Sequence, residues 1–372
     1  MKVFIYYGSR SKLLEKYPHA ESAPTIVDLA CKVDAQSRTF SINESGKEIE
    51  EKRKEKDREG NVVAYADDYS SLSDSAFENF NDLVLNRFEI DNLILQNPPK
   101  RIIEKLKAIS DIDIEFDEEC QQYVTLTKNH IVKIRDTFDE TIIGQKLAKK
   151  ALLAALYPLT KKEHKKPIVI LLYGKTGVGK TETAKFISSV IGEPLFRKQF
   201  SMLHSETFAS YFFGGNHTQP SLAKELLARE SNVILFDEFD KPSPVFYSAF
   251  YQFFDEGEFE DSQYTVNLER SIIICTSNFQ SKEEIKKYLG EALYSRLDAV
   301  IKYGELSSSD KETILRKEYN IIYNGLNEEE KAIVDKNNLL EKLVKSVNRM
   351  DNVRHIRQLI SDSISLSVID CM

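Results

Sequence analysis

The residues of this sequence that are best suited to chemistry lie in one glycine-rich segment. Residues 174–181 read Gly-Lys-Thr-Gly-Val-Gly-Lys-Thr, which is the pattern G-x-x-x-x-G-K-T. Glycines at these positions let the backbone fold around an anion with its N–H groups pointing inward. Lys180 is expected to reach the β- and γ-phosphates of a nucleotide, and the Thr181 hydroxyl to hold Mg²⁺. The pattern therefore predicts a binding site for ATP and Mg²⁺.

The segments on either side of this loop strengthen the prediction. Residues 168–173 are apolar and rich in β-branched side chains, and residues 182–191 suit a helix. A buried strand that ends at the loop and a helix whose positive end begins there would both position a phosphate. A glycine-rich turn that binds nothing fits this context much less well. The predicted ATP-binding residues of the segment are Gly174, Thr176, Gly177, Val178, Gly179, Lys180, Thr181 and Glu182.

Two further apolar runs end in polar side chains. Residues 232–236 lead into Asp237 and Glu238, and residues 271–277 lead into Asn278. Ligands of doubly wound sheets bind at the carboxyl ends of the strands. We expect Asp237 to hold the Mg²⁺ shell, Glu238 to polarise the attacking water, and Asn278 to orient that water or touch the γ-phosphate. Taken alone, each polar ending also fits an ordinary solvated turn.

The composition excludes several classes of protein. Hydrophobic residues make up 41% of the 372 residues and charged residues 30%, which is ordinary for a globular protein with a sizeable core. No apolar run approaches the roughly 20 residues of a membrane helix, so we expect no membrane partner. The four cysteines are scattered without a C-x-x-C pair, which favours a reducing cytoplasm. The net charge of −8 makes nucleic acid a less favoured partner, although a local basic channel stays open.

The pattern along the chain predicts an α/β fold class with several domains. Residues 1–110 are expected to form a small α/β domain, and residues 111–127 an acidic linker. Residues 128–304 alternate apolar strands and helices, which predicts a doubly wound parallel sheet covered on both faces. Residues 305–372 show helical periodicity only, in the segments 310–323, 338–347 and 353–368, and we expect a small helical domain there.

Within residues 1–110 the sequence predicts four short strands and one helix. The strands are expected at residues 3–7, 39–42, 61–66 and 93–96, and the helix at residues 75–86. The segment 47–59 is almost entirely charged with balanced signs, and an exposed excursion is favoured over a partner-binding arm. No catalytic constellation is evident in this part of the sequence.

Taken together, these motifs resemble the AAA+ ATPases, and more closely the Clp/Hsp100 protein unfoldases. The loop is similar to that group's G-P-T-G-V-G-K-T, with Lys175 in the place of the usual proline. Residues 236–241 are similar to its F-D-E-I-E/D-K, and residues 254–258 with 276–278 to its D-x-G-x-(L/F)…T-S-N. The resemblance implies a P-loop AAA+ fold in which the C-terminal helices form a lid.

The resemblance also assigns residues outside these motifs. Residues 143–145 match the group's (I/V)-G-Q, so Ile143 is expected to pack on adenine. Residues 294–298 are similar to I-N-R-I-D, which implies that Arg296 is an arginine finger acting in a neighbouring subunit's site. Arg354 stands where the lid has its sensor-2 arginine. Positive charge that arrives across a subunit interface would make hydrolysis conditional on assembly.

A substrate-gripping loop is a further implication of the resemblance. In the corresponding interval the sequence has Tyr211, Phe212, Phe213 and Gly214. Phe212 aligns best with the gripping aromatic residue, and Phe213 is next. An exposed aromatic residue beside glycines suits a mobile loop that contacts a polypeptide without reading its sequence. The alternative is that all three aromatic residues belong to a core.

Two departures from the family pattern bear on partners. Residues 279–291 form a short segment without the (I/L)-G-(F/L) tripeptide that docks a ClpP-type peptidase, so this partner is not expected. Residues 1–110 lack the zinc-binding cysteines of the ClpX type. The N-terminal domain is therefore not of the ClpX type, and we expect it to recruit a substrate or an adaptor.

The motifs and the resemblance together predict a cytoplasmic ATPase that uses ATP and Mg²⁺. It is expected to assemble into a homo-oligomeric ring, most simply a hexamer, and to remodel or unfold protein substrates. Two alternatives stay open. A nucleic-acid motor or loader would be stimulated by DNA or RNA, and an ATP-gated assembly switch would scaffold a partner protein with slow turnover.

Overall fold

The computed structural model describes residues 1–38, 56–109, 113–202, 205–347, 350 and 352–370. The strands are β1 (Lys2–Tyr7), β2 (Asp57–Ala64), β3 (Phe88–Gln96), β4 (Glu115–Cys120), β5 (Ile168–Tyr173), β6 (Phe196–Gln199), β7 (Val233–Asp237), β8 (Glu258–Glu260), β9 (Thr265–Asn267), β10 (Ile272–Ser277) and β11 (Ala299–Lys302). The α-helices are α1 (Arg10–Lys16), α2 (Ile26–Arg38), α3 (Asp68–Ser71), α4 (Asp74–Glu78), α5 (Lys100–Lys107), α6 (Lys128–Thr141), α7 (Lys146–Leu156), α8 (Lys180–Ile191), α9 (Ser205–Phe213), α10 (Leu222–Leu227), α11 (Phe250–Asp255), α12 (Lys282–Tyr294), α13 (Ser308–Asn324), α14 (Glu328–Lys336), α15 (Leu339–Ser346) and α16 (Val353–Ile369). None of these helices is long and apolar enough to cross a membrane.

The chain forms two compact units that do not follow the order of the sequence. The first unit comprises Met1–Tyr123, His204–Glu230 and Glu258–Asn267. The second unit comprises Val124–Leu203, Ser231–Gly257 and Leu268–Met372. Two segments whose neighbours in the sequence belong to the second unit are therefore part of the first. The predicted consecutive domains contain no such exchange, and their boundaries stay predictions.

The first unit is built on a parallel sheet with the strand order β2-β3-β1-β4. Val3 of the central strand lies opposite Leu93 of β3 and Phe116 of β4. The strands predicted at residues 3–7, 61–66 and 93–96 are confirmed as β1, β2 and β3, and the strand predicted at residues 39–42 lies outside the described residues. The helix predicted at residues 75–86 is two short pieces, α4 and a π-helical turn at Asp82–Asn86.

The acidic stretch predicted as a linker contains the edge strand β4, so this part of the prediction is wrong. Phe116 packs against the apolar core of the unit, which gives the strand one inward-facing side chain. The acidic residues face outward, and Glu115 and Glu118 form ion pairs with Lys2 and Lys107 at 3.2 and 2.7 Å. Charged side chains are common on edge strands because they prevent pairing with other chains. The charged segment 47–59 lies mostly outside the described residues, and its last residues begin β2.

The second unit contains a five-stranded parallel sheet with the order β11-β5-β10-β7-β6. All residues of β5, β7 and β10 are buried, as expected for a parallel sheet with helices on both faces. Tyr173 lies opposite Ser277, and Cys275 lies opposite Phe236. The carboxyl ends of these three strands therefore meet at one edge. The predicted parallel sheet is confirmed.

Four helices, α13 to α16, follow the sheet and share a core around Leu315, Ile356 and Ile360. Helices α13, α15 and α16 agree with the helical periodicity of residues 305–372. Helix α14 was not predicted, since Val334 is the only fully buried residue of its described side chains. A capping box between Asn327 and Glu330 begins this helix, and such a local signal does not depend on apolar periodicity.

Candidate nucleotide-binding site

The glycine-rich segment forms a turn between β5 and α8. Gly174, Gly177 and Gly179 have φ values of +136°, +73° and +103°. Residues other than glycine rarely adopt positive φ values, so the backbone conformation of this turn requires glycine at these positions. A Cβ atom at Gly174 would collide with the carbonyl oxygen of Tyr303, and one at Gly177 would lie 2.7 Å from Cβ of Asn352. Helix α8 begins directly after Gly179, which places the positive end of the helix at the turn.

Lys180 is buried inside this turn. Its ammonium group donates hydrogen bonds to the carbonyl oxygens of Gly174 and Lys175, each at 2.7 Å, and to Asn278 Oδ1 at 3.4 Å. Burial lowers the pKa of Lys180 to about 8, while the carboxylates of Asp240 and Asp237 act in the opposite direction. A buried ammonium with only neutral bonding partners favours the arrival of an anion.

Asp237 is held by three side chains at the carboxyl end of β7. Oδ1 accepts hydrogen bonds from the hydroxyls of Thr276 and Thr181, the latter at 3.2 Å. Oδ2 accepts from the guanidinium of Arg197 at 2.6 Å. Asp237 and Thr181 thus lie together, as the sequence predicted. Carboxylate and hydroxyl oxygens are the ligand types that Mg²⁺ prefers, so these two residues fit the expected ion.

Glu238 follows Asp237 with a strained backbone. Its φ is +58°, which is uncommon for a residue with a side chain. The N–H of Glu238 donates to Thr276 Oγ1 at 3.1 Å, and the N–H of Phe239 donates to the carbonyl oxygen of Thr276 at 2.8 Å. Strain of this kind costs about 1–3 kcal/mol and persists where the surroundings over-determine it. The surrounding contacts therefore fix the direction in which the Glu238 side chain leaves the strand.

An aromatic cluster packs around the two residues that flank Asp237 and Glu238 in the sequence. Phe236 and Phe239 are fully buried, and their ring centroids lie 5.2 and 5.8 Å from that of Phe200. Phe250 packs against both rings at 5.8 and 5.1 Å. Aromatic pairs at these distances contribute beyond their buried area. The side chains on either side of the carboxylates are thus locked into the core.

Two buried polar atoms near the turn have no hydrogen-bond partner among the described residues. They are Asp240 Oδ1 and Ser277 Oγ. Buried polar groups are normally satisfied, so an exception calls for a missing ligand or water. Together with the left-handed glycines and the buried ammonium of Lys180, they fit a polar, phosphate-bearing ligand and its metal ion.

The helical domain contacts the glycine-rich turn directly. The N–H of Val353, the first residue of α16, donates to the carbonyl oxygen of Gly177 at 3.2 Å. Arg354 is therefore carried to the turn, where its charge acts on Lys180. Arg354 is exposed and has no hydrogen bond or ion pair to another described residue. Ile143 packs against the core of the four helices.

The comparisons with known proteins agree with this geometry. A family model described as AAA domain (Cdc48 subfamily) matches residues 165–329. The ATP-dependent Clp protease ATP-binding subunit ClpC of Staphylococcus aureus is 25% identical over 285 residues, which cover 64% of this chain and 35% of ClpC. The mitochondrial disaggregase of Bos taurus is 29% identical over 231 residues, covering 57% of this chain and 34% of that protein.

Solved structures show the same fold. A closed-state reconstruction of Hsp104 with ATPγS and FITC casein has a TM-score of 0.53 at 18% identity, covering 80% of this chain and 54% of Hsp104. The Hsp104–ADP complex of S. cerevisiae has a TM-score of 0.50 at 20% identity, covering 65% and 48%. Over residues 165–329 the chain is thus similar to the AAA domains of Clp/Hsp100 ATPases. It spans only about a third of the length of the curated relatives.

Arg296 lies away from the glycine-rich turn of its own chain. It precedes β11, whose first residue, Ala299, lies opposite Ile170, whereas the glycine-rich turn follows the other end of β5. Its guanidinium donates to Asp255 Oδ2 and to the carbonyl oxygen of Ala292, both at 2.6 Å. The structure thus does not bring Arg296 to Lys180 within one chain. A role in trans stays a prediction.

The segment expected to grip substrate is helical and largely buried. Tyr211, Phe212 and Phe213 end helix α9 in the first unit. Phe212 is fully buried against Phe208 with ring centroids 4.4 Å apart, and the Tyr211 hydroxyl donates to Glu225 at 2.8 Å. Phe213 is 48% exposed. The expectation that Phe212 lies exposed in a loop is therefore wrong, because the helix turns this side chain inward.

Gly214 ends the helix in the left-handed region, with φ +78°. A Cβ atom there would lie 2.9 Å from the backbone nitrogen of Ser262, so the position requires glycine. The N–H of Ser262 donates to the carbonyl oxygen of Phe213 at 3.1 Å. The chain around Gly214 is thus packed against the turn between β8 and β9.

Three residues of the site were missed by the sequence reasoning. Arg197 and Thr276 donate hydrogen bonds to Asp237. The side-chain amide of Gln145 donates to the carbonyl oxygen of Gly304, which follows β11, and accepts from the N–H of Gly304, both at 3.0 Å. Thr276 and Gln145 belong to motifs that were recognised, so their positions were signalled although their roles were not. For Arg197 no local signal exists, since a single arginine on a short strand has no pattern.

Proposed function

We propose that this chain binds and hydrolyses ATP with Mg²⁺ at the turn between β5 and α8. The observation that carries the proposal is the meeting of Lys180, Thr181, Asp237 and Asn278 at one sheet edge. Mg²⁺ would supply positive charge to the transferred phosphoryl group when bound. Thr181 and Asp237 would hold the ion, and Lys180 would hold the phosphates in place of its present carbonyl partners.

The remaining residues of the site have separable tasks in this proposal. Glu238 accepts a proton from the attacking water or polarises it, and its fixed backbone aims the carboxylate. Asn278 orients that water from the neighbouring strand. Arg354 reaches the nucleotide from the helical domain, and Ile143 contacts adenine. Backbone N–H groups of Gly177 and Gly179 face the phosphates.

A pair of substitutions tests these assignments. The Lys180→Ala protein is expected to lose nucleotide binding, whereas the Glu238→Gln protein is expected to bind ATP and to lose hydrolysis by a factor of about 10²–10⁴. Lys185→Ala is a matched control, because Lys185 is exposed on the same helix and bonds only Glu182 among the described residues. Wild-type turnover by the Glu238→Gln protein would refute the catalytic assignment.

We further propose a homo-oligomeric ring, most simply a hexamer, in which Arg296 completes the site of the adjacent subunit. The placement of Arg296 at the opposite end of β5 supports this, because it leaves the residue without a task in its own site. Stabilisation of the transition state by an arginine in trans would couple turnover to assembly. ATP hydrolysis would then drive remodelling of a protein substrate, as the relation to ClpC and to the disaggregase suggests.

A second function, an ATP-gated assembly switch, is favoured by one observation. Tyr211 and Phe212 are buried within the first unit, which leaves Phe213 as the exposed aromatic side chain of that segment. A remodelling enzyme has to contact polypeptide through exposed groups, whereas a switch needs no such contact. The two functions differ in the Glu238→Gln protein. A switch keeps its biological activity in that variant and loses it in Lys180→Ala, but a motor loses it in both.

A further inference from the structure

The carboxylate of Asp237 has a cationic partner that its motif does not include. Arg197 lies on β6, the edge strand beside β7, where Arg197 is opposite Leu235 and Gln199 is opposite Asp237. The guanidinium donates to Asp237 Oδ2 at 2.6 Å. The side chain of Asp237 is 8% exposed and that of Arg197 is 42% exposed. An almost buried carboxylate is therefore neutralised by an arginine that reaches it from the solvent side.

The bonding capacity of the Asp237 carboxylate is largely used in this arrangement. Oδ1 accepts from Thr276 and Thr181, and Oδ2 accepts from Arg197. A carboxylate offers about four acceptor positions on its two oxygens. Thr181 and Asp237 are also the residues proposed to hold Mg²⁺. A guanidinium and a divalent cation beside the same carboxylate repel each other, and each weakens the attraction of that carboxylate for the other.

We propose that Arg197 is the counter-ion of Asp237 in the metal-free protein and that it competes with Mg²⁺. It is a positioning residue that sets the Mg²⁺ concentration needed for nucleotide binding. The inference rests on the proposed function for the identity of the bound nucleotide. Without Arg197 the buried carboxylate lacks its hydrogen-bonded cationic partner until Mg²⁺ arrives. Loss of the arginine should therefore destabilise the free protein and strengthen binding of the metal.

The test measures Mg²⁺ dependence without turnover. Methylanthraniloyl-ADP is held at a fixed concentration, Mg²⁺ is titrated, and the fluorescence of the bound nucleotide is recorded. In the Arg197→Ala protein the half-saturating Mg²⁺ concentration is expected to fall about two- to fivefold, the effect of one half-exposed ion pair. Arg197→Lys keeps the charge and should stay near wild type. Arg135→Ala is a control, because Arg135 is an exposed arginine on α6 paired with Asp136.

Thermal unfolding supplies a second readout. Arg197→Ala should lower the Tm of the nucleotide-free protein and should show a larger rise of the Tm than wild type when ADP and Mg²⁺ are added. If this variant does not fold, Arg197→Gln keeps a hydrogen-bond donor without the charge and serves in both experiments. An unchanged or higher Mg²⁺ requirement in the uncharged variant would overturn the competition alone. Absence of nucleotide binding by the wild-type protein would overturn the proposed function and the competition with it.

Discussion

The hydroxyl of Thr276 donates a hydrogen bond to the carboxylate of Asp237 across two neighbouring strands. The same oxygen accepts the N–H of Glu238, so one threonine orients both acidic residues. Thr276 and Asp237 are buried, with 2% and 6% of the whole residue exposed. The two carboxylates therefore do not move independently, and their geometry depends on a residue that is expected to touch neither the nucleotide nor the water.

Replacement of Thr276 by valine tests this dependence. Thr276→Val keeps the shape but leaves Asp237 without its buried donor, and we expect a loss of about 1–3 kcal/mol of unfolding free energy. We expect the ATPase rate to fall about tenfold, because the position of Glu238 is released. Thr276→Ser retains the hydroxyl and should keep most of the activity. An ATPase rate in Thr276→Val equal to that of Thr276→Ser would show that the hydrogen bonds are not needed for catalysis.

The lowered pKa of Lys180 predicts a pH dependence of nucleotide binding. Burial brings this pKa to about 8 in the free protein, and bound phosphates would raise it because they favour the charged form. Binding should therefore take up a proton above about pH 8, and affinity for ADP should decline as the pH rises through that value. Fluorescence titration with methylanthraniloyl-ADP from neutral to alkaline pH measures the decline.

Lys180→Arg separates this effect from general alkaline damage. The guanidinium stays charged throughout the range, so whatever affinity remains should be independent of pH. A parallel decline of the wild-type and Lys180→Arg affinities would assign the pH dependence to another group.

Arg296 is predicted to act on a neighbouring subunit. Mixtures of the Arg296→Ala and Glu238→Gln proteins should regain activity that neither protein has alone, since some sites then combine an intact Glu238 with the intact Arg296 of a neighbouring subunit. Asp255→Asn is an informative companion, because it weakens the ion pair that holds Arg296 at 2.6 Å in its own chain. Activities that are strictly additive across the mixing series would contradict the role in trans.

Phe212 and Phe213 are predicted to differ sharply despite being neighbours. Phe212→Ala removes a fully buried ring and should cost about 3–5 kcal/mol of unfolding free energy. Phe213→Ala affects a side chain that is 48% exposed, so the Tm should change little, but stimulation of the ATPase by unfolded polypeptide should be lost. Retained stimulation in a folded Phe213→Ala protein would remove this segment from substrate contact.

The meeting of the candidate-site residues at one sheet edge was largely predictable, because each motif consists of consecutive residues. Gly174, Lys180 and Asp237 each follow an apolar run at a fixed offset, and the parallel register of β5, β7 and β10 then brings the strand ends together. The contact of Arg197 with Asp237 could not be predicted, because the two residues belong to separate stretches of the sequence. Its contact with Asp237 depends on the pairing of an edge strand with β7, which leaves no local pattern.

The composition of the first unit was beyond sequence reasoning. Helices α9 and α10 and strands β8 and β9 lie in the sequence of the ATPase domain, yet they pack with residues 1–123. Long-range contacts hold them there. The ring of His217 stacks on Phe77 at 4.1 Å, and Lys224 donates to Ser70 Oγ at 2.8 Å. Such contacts join separate stretches of sequence, and neither composition nor periodicity encodes them. The prediction that Phe212 is exposed was wrong for the same reason, since its burial depends on long-range contacts.

Steady-state ATPase activity of the purified protein, with and without unfolded casein and with and without single-stranded DNA, tests the central claim most directly. The remodelling function predicts a Mg²⁺-dependent rate that casein increases and DNA does not, and that is absent in the Glu238→Gln protein. An increase with DNA alone would instead identify a nucleic-acid motor. A rate that neither polymer changes would favour the assembly switch, and no hydrolysis above that of Glu238→Gln would contradict the account.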